Sequence, residues 1–200
     1  MGVTGAKQDI KTALMPSDFV HLHNHTHHSV LDGLTKIDDL VGKVKDFGMT
    51  AAAVTDHGTM SGILDYYKKA KAAGIKPILG MEAYVAARSR FNRDPAKDKA
   101  RFHLTILSMN LTGFHNLVKL STKANLEGMY YKPRIDHDLL EELNEGLIVL
   151  SGCASGEIAT MTTRTPKRLP PGTKVSLAIV IILSCKIMDI QIRTLTGTFR

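Results

Sequence analysis

Five of the chain's nine histidines fall in the run His21-Leu22-His23-Asn24-His25-Thr26-His27-His28. In an extended segment, residues two apart point to one face, so His23 and His25 are placed to present two imidazoles together. Imidazole is the commonest protein ligand for zinc. A solvated His-rich loop or an expression tag would also be rich in histidine. A tag is terminal and uninterrupted, whereas this run continues into Ser29-Val30-Leu31-Asp32-Gly33.

Further candidates follow along the chain. Asp56 and His57 come straight after an apolar stretch at 51–55, where an Asp-capped turn is the plain alternative. Glu82 puts a carboxylate inside the otherwise apolar Gly80-Met81-Glu82-Ala83-Tyr84. A buried glutamate is costly unless paired or metal-bound, and the arginines of the next charged stretch offer a competing partner. His103 opens an apolar run and could be an ordinary core or edge histidine. Cys153 follows another such run, and a free cysteine is usually a small buried hydrophobe. Each signal is weak alone. Together they set imidazole, carboxylate and thiolate groups at successive strand ends, which favours a multinuclear metal site.

The elements that must position these groups are legible from periodicity. A short strand-like piece spans 19–23. Ile37, Leu40, Val41, Val44 and Phe47 have helical spacing, with Thr35 as a candidate N-cap and Gly48 as a stop. Strands are expected at 51–55, 76–85, 103–108 and 147–150, and helices at 61–73, 112–126 and 136–144. The charged stretch 88–101 reads as an exposed insertion. Strand–helix alternation predicts a parallel α/β architecture, open or closed into a barrel. In either form, ligands gather beyond the carboxyl ends of strands. His25, Asp56, His57 and Cys153 fit that rule. Glu82 lies within a strand, and His103, at a strand's start, departs from it.

Composition excludes several classes. Two cysteines, Cys153 and Cys185, make no disulfide framework, and the first residues hold no signal-peptide core. The apolar run 175–185 is shorter than the about 20 residues a membrane span needs. The net charge of +7 is uneven. Residues 1–160 carry 19 Lys and Arg against 18 Asp and Glu, whereas residues 161–200 carry 7 against 1. The excess basicity therefore belongs to the tail and says little about what the main domain binds.

Several motifs occur in a telling order. They are His21-Leu22-His23-Asn24-His25-Thr26, residues 29–33, 55–58, 80–84 and 103–107, then Tyr130-Tyr131-Lys132-Pro133-Arg134-Ile135-Asp136, and finally Ser151-Gly152-Cys153-Ala154-Ser155-Gly156-Glu157. In that order they resemble the polymerase-and-histidinol-phosphatase (PHP) domain at the start of bacterial DNA polymerase III alpha subunits, over about 19–159. The last two motifs favour the polymerase branch over stand-alone histidinol phosphatases.

The resemblance implies a distorted, seven-stranded, TIM-like β/α barrel. It also implies two or three divalent metal ions, zinc or manganese, held by His23, His25, Asp32, His57, Glu82, His103 and Cys153. Asp56 would stand behind them as a supporting or capping residue. His21, His27, His28 and His115 match no ligand position. The implied activity is metal-dependent phosphodiester hydrolysis, as 3′→5′ exonuclease proofreading where the ligand set is complete. DNA and other replicase subunits are the implied partners, with no membrane, in the cytoplasm. Magnesium would serve a polymerase domain that lies outside this chain. Two alternatives stay open: a free-standing metallo-phosphoesterase acting on a small phosphate ester, and a non-catalytic structural module.

The resemblance stops at Ala159. The family's final Asp-x-His or Asp-x-Asn motif has no counterpart, since Asp189 is followed by Ile190-Gln191. The expected organisation is an N-terminal extension (1–18), a PHP domain incomplete at its C-terminus (19–159) and a divergent basic tail (160–200). The composition break favours a tail foreign to the family over a native strand. On this reading the isolated chain binds metal partially and has weak or no nuclease activity.

Overall fold

A computed structural model describes Met15 and residues 18–30 and 32–164. Most of the N-terminal extension and of the basic tail, with the 175–185 run, lie outside the described residues. The elements are α1 (Ile37–Asp46), β1 (Ala51–Val54), α2 (Ile63–Ala72), β2 (Lys76–Ala86), β3 (Arg101–Ser108), α3 (Leu111–Leu126), β4 (Met129–Tyr130), β5 (Lys132–Ile135), α4 (His137–Glu142), β6 (Leu147–Leu150) and α5 (Glu157–Arg164).

Local chemistry explains most boundaries. In α1, Ile37, Val41 and Val44 are buried on one face. Asp38 and Asp39 in its first turn and Lys43 and Lys45 in its last complement the helix dipole. Gly48, at φ 67°, ends it in the left-handed region that glycine adopts without strain. The N-cap is Lys36 rather than Thr35, with no side-chain cap. Thr35 is instead bridged to Thr26. Asn110 caps α3 by accepting from the Gly113 N–H, and Asp136 caps α4 by accepting from the Leu139 N–H.

The long β2 organises the sheet. Its first half pairs in parallel with β1, from Ala51↔Lys76 to Val54↔Leu79. Its second half pairs in parallel with β5 and antiparallel with β3, from Gly80↔Leu107 to Ala86↔Arg101. β6 flanks β3, also antiparallel. On the other side of β1, the His-rich segment adds a single parallel bridge, His21↔Ala52.

The fold is thus mixed α/β, and the expectation of an all-parallel sheet fails at β3. A parallel neighbour needs a crossover, usually helical, and the 87–100 connection holds turns but no helix. The chain therefore returns beside β2 in the opposite direction. A closed seven-stranded barrel is not seen among the described residues, where β6 pairs only with β3.

Two cores hold the layers. Met81, Ile106, Leu117, Leu120, Ile135 and Leu139 pack α3 and α4 on the sheet, while Ile37, Val41, Val54, Ile63 and Tyr66 join α1 and α2 to β1. Burying one such leucine or isoleucine contributes about 1.5–3 kcal/mol. Between them these cores fix β1 and β2, whose C-terminal ends carry the polar cluster.

Candidate metal centre

Glu82 is the hub. It is 1% exposed, in the middle of β2. None of the arginines of 88–101 reaches it. Two of them pair elsewhere, Arg88 with Asp98 and Arg90 with Asp136 and Glu127. Glu82 instead faces imidazoles. His23 Nε2 lies 2.5 Å and His25 Nε2 3.0 Å from its Oε2, His103 Nδ1 2.6 Å from its Oε1, and His57 Nδ1 3.8 Å from Oε2.

Each histidine arrives by a different local device. His23 and His25 sit two apart on an extended loop, with Nε2 atoms 3.1 Å from each other. Asp56 holds that loop in place. Its carboxylate accepts from the Thr26 N–H at 2.6 Å, the Thr26 hydroxyl at 2.8 Å and the Ser29 hydroxyl at 2.9 Å. The Ser29 oxygen in turn accepts from the His57 N–H at 3.0 Å. Asp56 therefore organises the backbone around the imidazoles.

His57 follows β1 and is bridged to Glu82, its ring stacked on His25 at 4.0 Å. The turn after it depends on Gly58, at φ 63°, where an added Cβ would come within 2.9 Å of Pro133 and 3.0 Å of the Tyr84 ring. His103 departs from the strand-end rule only if β3 is parallel. Antiparallel pairing puts its N-terminal end beside the C-terminal end of β2, with Tyr84↔His103 in register.

Asp32 and Cys153 stand at the edge of the cluster. Asp32 Oδ2 is 3.2 Å from His57 Nε2, and Cys153 Sγ is 3.7 Å from His103 Nδ1. All seven sequence-derived candidates are thus joined in one series of contacts. Five of them form two overlapping groups, His23–His25–Glu82 and His57–Glu82–His103, whose ligand atoms lie within 4.8 Å of one another in each group. His21, His27, His28 and His115 lie outside both groups; His28 pairs with Ser61.

Charge and satisfaction both suit a cation. Burial alone would push the Glu82 carboxyl up, but the imidazoles of His103, His23 and His25 outweigh it and hold the group far below the usual carboxylate range. Burial works against protonation of His25, yet Glu82 prevails and raises it. Burial lowers His57, with Glu82 only partly opposing. Buried polar atoms nearly always have partners. Here Nδ1 of His25 and Nδ1 of His57 are buried without a hydrogen bond, as is the hydroxyl of Thr105, directly across the ladder from Glu82. A nitrogen- and oxygen-rich set with unused ligand atoms fits one or more divalent metals that accept imidazole and carboxylate.

A family model described as the PHP domain matches residues 21–181. The chain belongs to the PHP family. The match runs beyond Ala159, where the motif resemblance stopped. This PHP chain is 51% identical over 148 residues to the DNA polymerase III subunit alpha of Aquifex aeolicus, covering 71% of this chain and 13% of that protein. With the Thermus aquaticus subunit the identity is 53% over 144 residues, 70% of this chain and 12% of the relative. The chain therefore spans about an eighth of the length of the curated relatives it matches.

Among solved structures, a two-domain Bacteroides vulgatus protein described as containing a predicted PHP-like metal-dependent phosphoesterase aligns at 17% identity and a TM-score of 0.42, covering 76% of this chain and 38% of that one. No helix among the described residues is long and apolar enough to cross a membrane.

The sequence reading missed Tyr84, whose ring stacks 6.0 Å from His57, and the β4–β5 hairpin. The left-handed Tyr131, at φ 61°, carries no glycine or asparagine signal for such a turn.

Proposed function

We propose that this chain is the metal-binding PHP module of a replicative DNA polymerase alpha subunit, of the type that hydrolyses phosphodiesters at DNA 3′ ends. The observation that carries the reading is Glu82, buried among four imidazoles with ligand atoms left unpaired. His23, His25, His57, Glu82 and His103 would hold the metal ions, with Asp32 and Cys153 as further ligands. Bound zinc or manganese would neutralise phosphate charge and make a water nucleophilic at neutral pH. The residues themselves have simpler tasks. Glu82 stays anionic and anchors the imidazoles, His25 and His57 hold each other by stacking, and Asp56 fixes the loop that carries His23 and His25.

The identity with alpha subunits supports a replicative setting, with DNA and other replicase subunits as partners in the cytoplasm and magnesium required elsewhere in the polymerase. The sequence shows no counterpart of the last ligand motif, and on this reading the chain binds metal partially and has weak or no nuclease activity.

The test is metal stoichiometry by mass spectrometry, paired with hydrolysis of 3′-ended DNA and of small phosphomonoesters. Wild-type chain is expected to hold at least one metal per chain, and His25→Ala to lose it. Metal-free wild-type protein would leave only the structural-module reading. Phosphomonoester turnover in preference to DNA would favour the free-standing phosphatase.

A further inference from the structure

Tyr84 stands between the candidate metal centre and two cations that no carboxylate among the described residues neutralises. Its ring is 5% exposed, with its centroid 6.0 Å from that of His57 and 5.3 Å from that of His103. Arg101 Cζ and Lys132 Nζ each lie 5.7 Å from the same ring centroid. They arrive from opposite sides of β2: Arg101 opens β3, opposite Ala86, and Lys132 opens β5 directly after Tyr131.

Nearby arginines are otherwise paired, Arg88 with Asp98 and Arg90 with Asp136 and Glu127. Among the described residues neither Arg101 nor Lys132 has a carboxylate partner within 4.0 Å. The Arg101 guanidinium donates one long bond, from Nη1 to the Lys99 carbonyl at 3.3 Å, and its Nε is buried with no acceptor.

A lone surface lysine is usually just solvated. Two cations converging on one aromatic ring, one of them with a buried unused donor, form a different case. The ring face holds both charges by cation–π attraction, which fixes their position without consuming their hydrogen-bonding capacity. What they lack is an anion. Guanidinium and ammonium groups are the side chains that bind phosphate oxygens most strongly.

We propose that Arg101 and Lys132, seated on Tyr84, form a phosphate grip beside the metal centre that takes the non-bridging oxygens of a nucleic-acid backbone phosphate. The grip rests on the phosphodiester reading of the site. The shared chemistry is phosphate, which a strand or a free ion can supply.

The test uses the metal-loaded full chain and a fluorescent single-stranded oligonucleotide whose 3′ linkages are phosphorothioates, so that no hydrolysis is needed. Binding is followed by anisotropy across a salt series, with inorganic phosphate as competitor. The Arg101→Met, Lys132→Met double variant is expected to weaken binding at least tenfold. It should also flatten the salt dependence of log K by about 0.7, the value for one phosphate contact on a single strand. Lys132→Arg should restore most of what Lys132→Met loses.

If phosphate competes with the wild type, the grip takes phosphate from either source; if it does not, the grip is specific to a strand. Both results support it. A double variant with wild-type metal content, wild-type melting temperature and unchanged affinity overturns it, as does a wild-type chain that binds no oligonucleotide. Should the double variant fail to fold, Lys132→Gln, at a partly exposed position, is expected to weaken binding about threefold, and no change there overturns the grip equally. Metal content is read separately. A His25→Ala chain that keeps its metal defeats the metal-centre reading without touching the grip.

Discussion

Glu82 and Asp136 are both almost fully buried, at 1% and 2% exposed, and they meet the cost of burial in different ways. Asp136 accepts from the Ser89 hydroxyl at 3.2 Å, the Arg90 N–H at 2.9 Å, Arg90 Nη1 at 2.9 Å and the Leu139 N–H at 3.1 Å. Beside it the buried Arg134 donates to the carbonyls of Gly128, Asp98, Arg90 and Asn92. That network is complete with protein atoms alone. The 88–100 connection is mostly exposed, as its charge suggested, but the buried Arg90 and Asp98 tie it to the fold. Glu82 has imidazoles around it, and two of the ring nitrogens there are buried without a hydrogen bond. A satisfied buried network builds structure, and an unsatisfied one leaves capacity for a ligand.

The comparison breaks most readily at Asp136. Asp136→Ala removes the cap of α4 and a partner of the Arg90 guanidinium. Losing one member of a buried ion pair costs about 3–5 kcal/mol, a large share of the about 5–15 kcal/mol that holds a typical domain together. Urea unfolding should show that loss, while whatever protein remains folded keeps its wild-type metal content. A cost below about 1 kcal/mol would mean that the network is ornamental.

Glu82→Gln tests the other side. The substitution keeps shape and removes the charge that anchors the imidazoles. Saturating zinc or manganese should stabilise the wild-type chain by about 2.7 kcal/mol at a hundredfold excess over the dissociation constant. The variant should gain almost none of it. A thermal-melt series with and without metal decides the matter, and equal shifts in the two proteins would remove Glu82 from the centre.

How much of this was legible in the sequence follows the same division. The ligand candidates were readable because imidazole and carboxylate are conspicuous in apolar surroundings, as at Glu82 within Gly80–Tyr84. The helices and β1, β2 and β6 were readable from periodicity and from Gly48 and Gly74. The direction of β3 was not, because a charged stretch of 14 residues is long enough for either a crossover or a return. Arg134 was hidden as well. Its partners are main-chain carbonyls, which every residue possesses, so no residue type at any spacing announces them. The motif Tyr130–Asp136 was recognisable as a pattern, but its physical work, tying down a distant loop, appears only in three dimensions.

The smallest expected effect is in acid, and it separates the two carboxylates' environments without removing either. Burial tends to raise the Asp136 carboxyl, but the N–H groups of Arg90 and Leu139 and the Arg90 guanidinium outweigh it and hold it below the usual range. Arg88 likewise holds Asp98 low. A carboxyl lowered on folding contributes stability that is fully present above its unfolded value of about 3.9. That stability is lost as pH falls from there through the folded value. Wild-type chain should therefore lose stability between neutral pH and pH 2.5 mainly below about pH 4. Asp136→Asn, which cannot titrate, should start less stable at neutral pH and fall less steeply in that window. Urea midpoints measured for both proteins along the pH series give the comparison. Parallel curves would show that the Asp136 charge is not what the Arg90 network stabilises, and that its four donors would serve a neutral acceptor equally well.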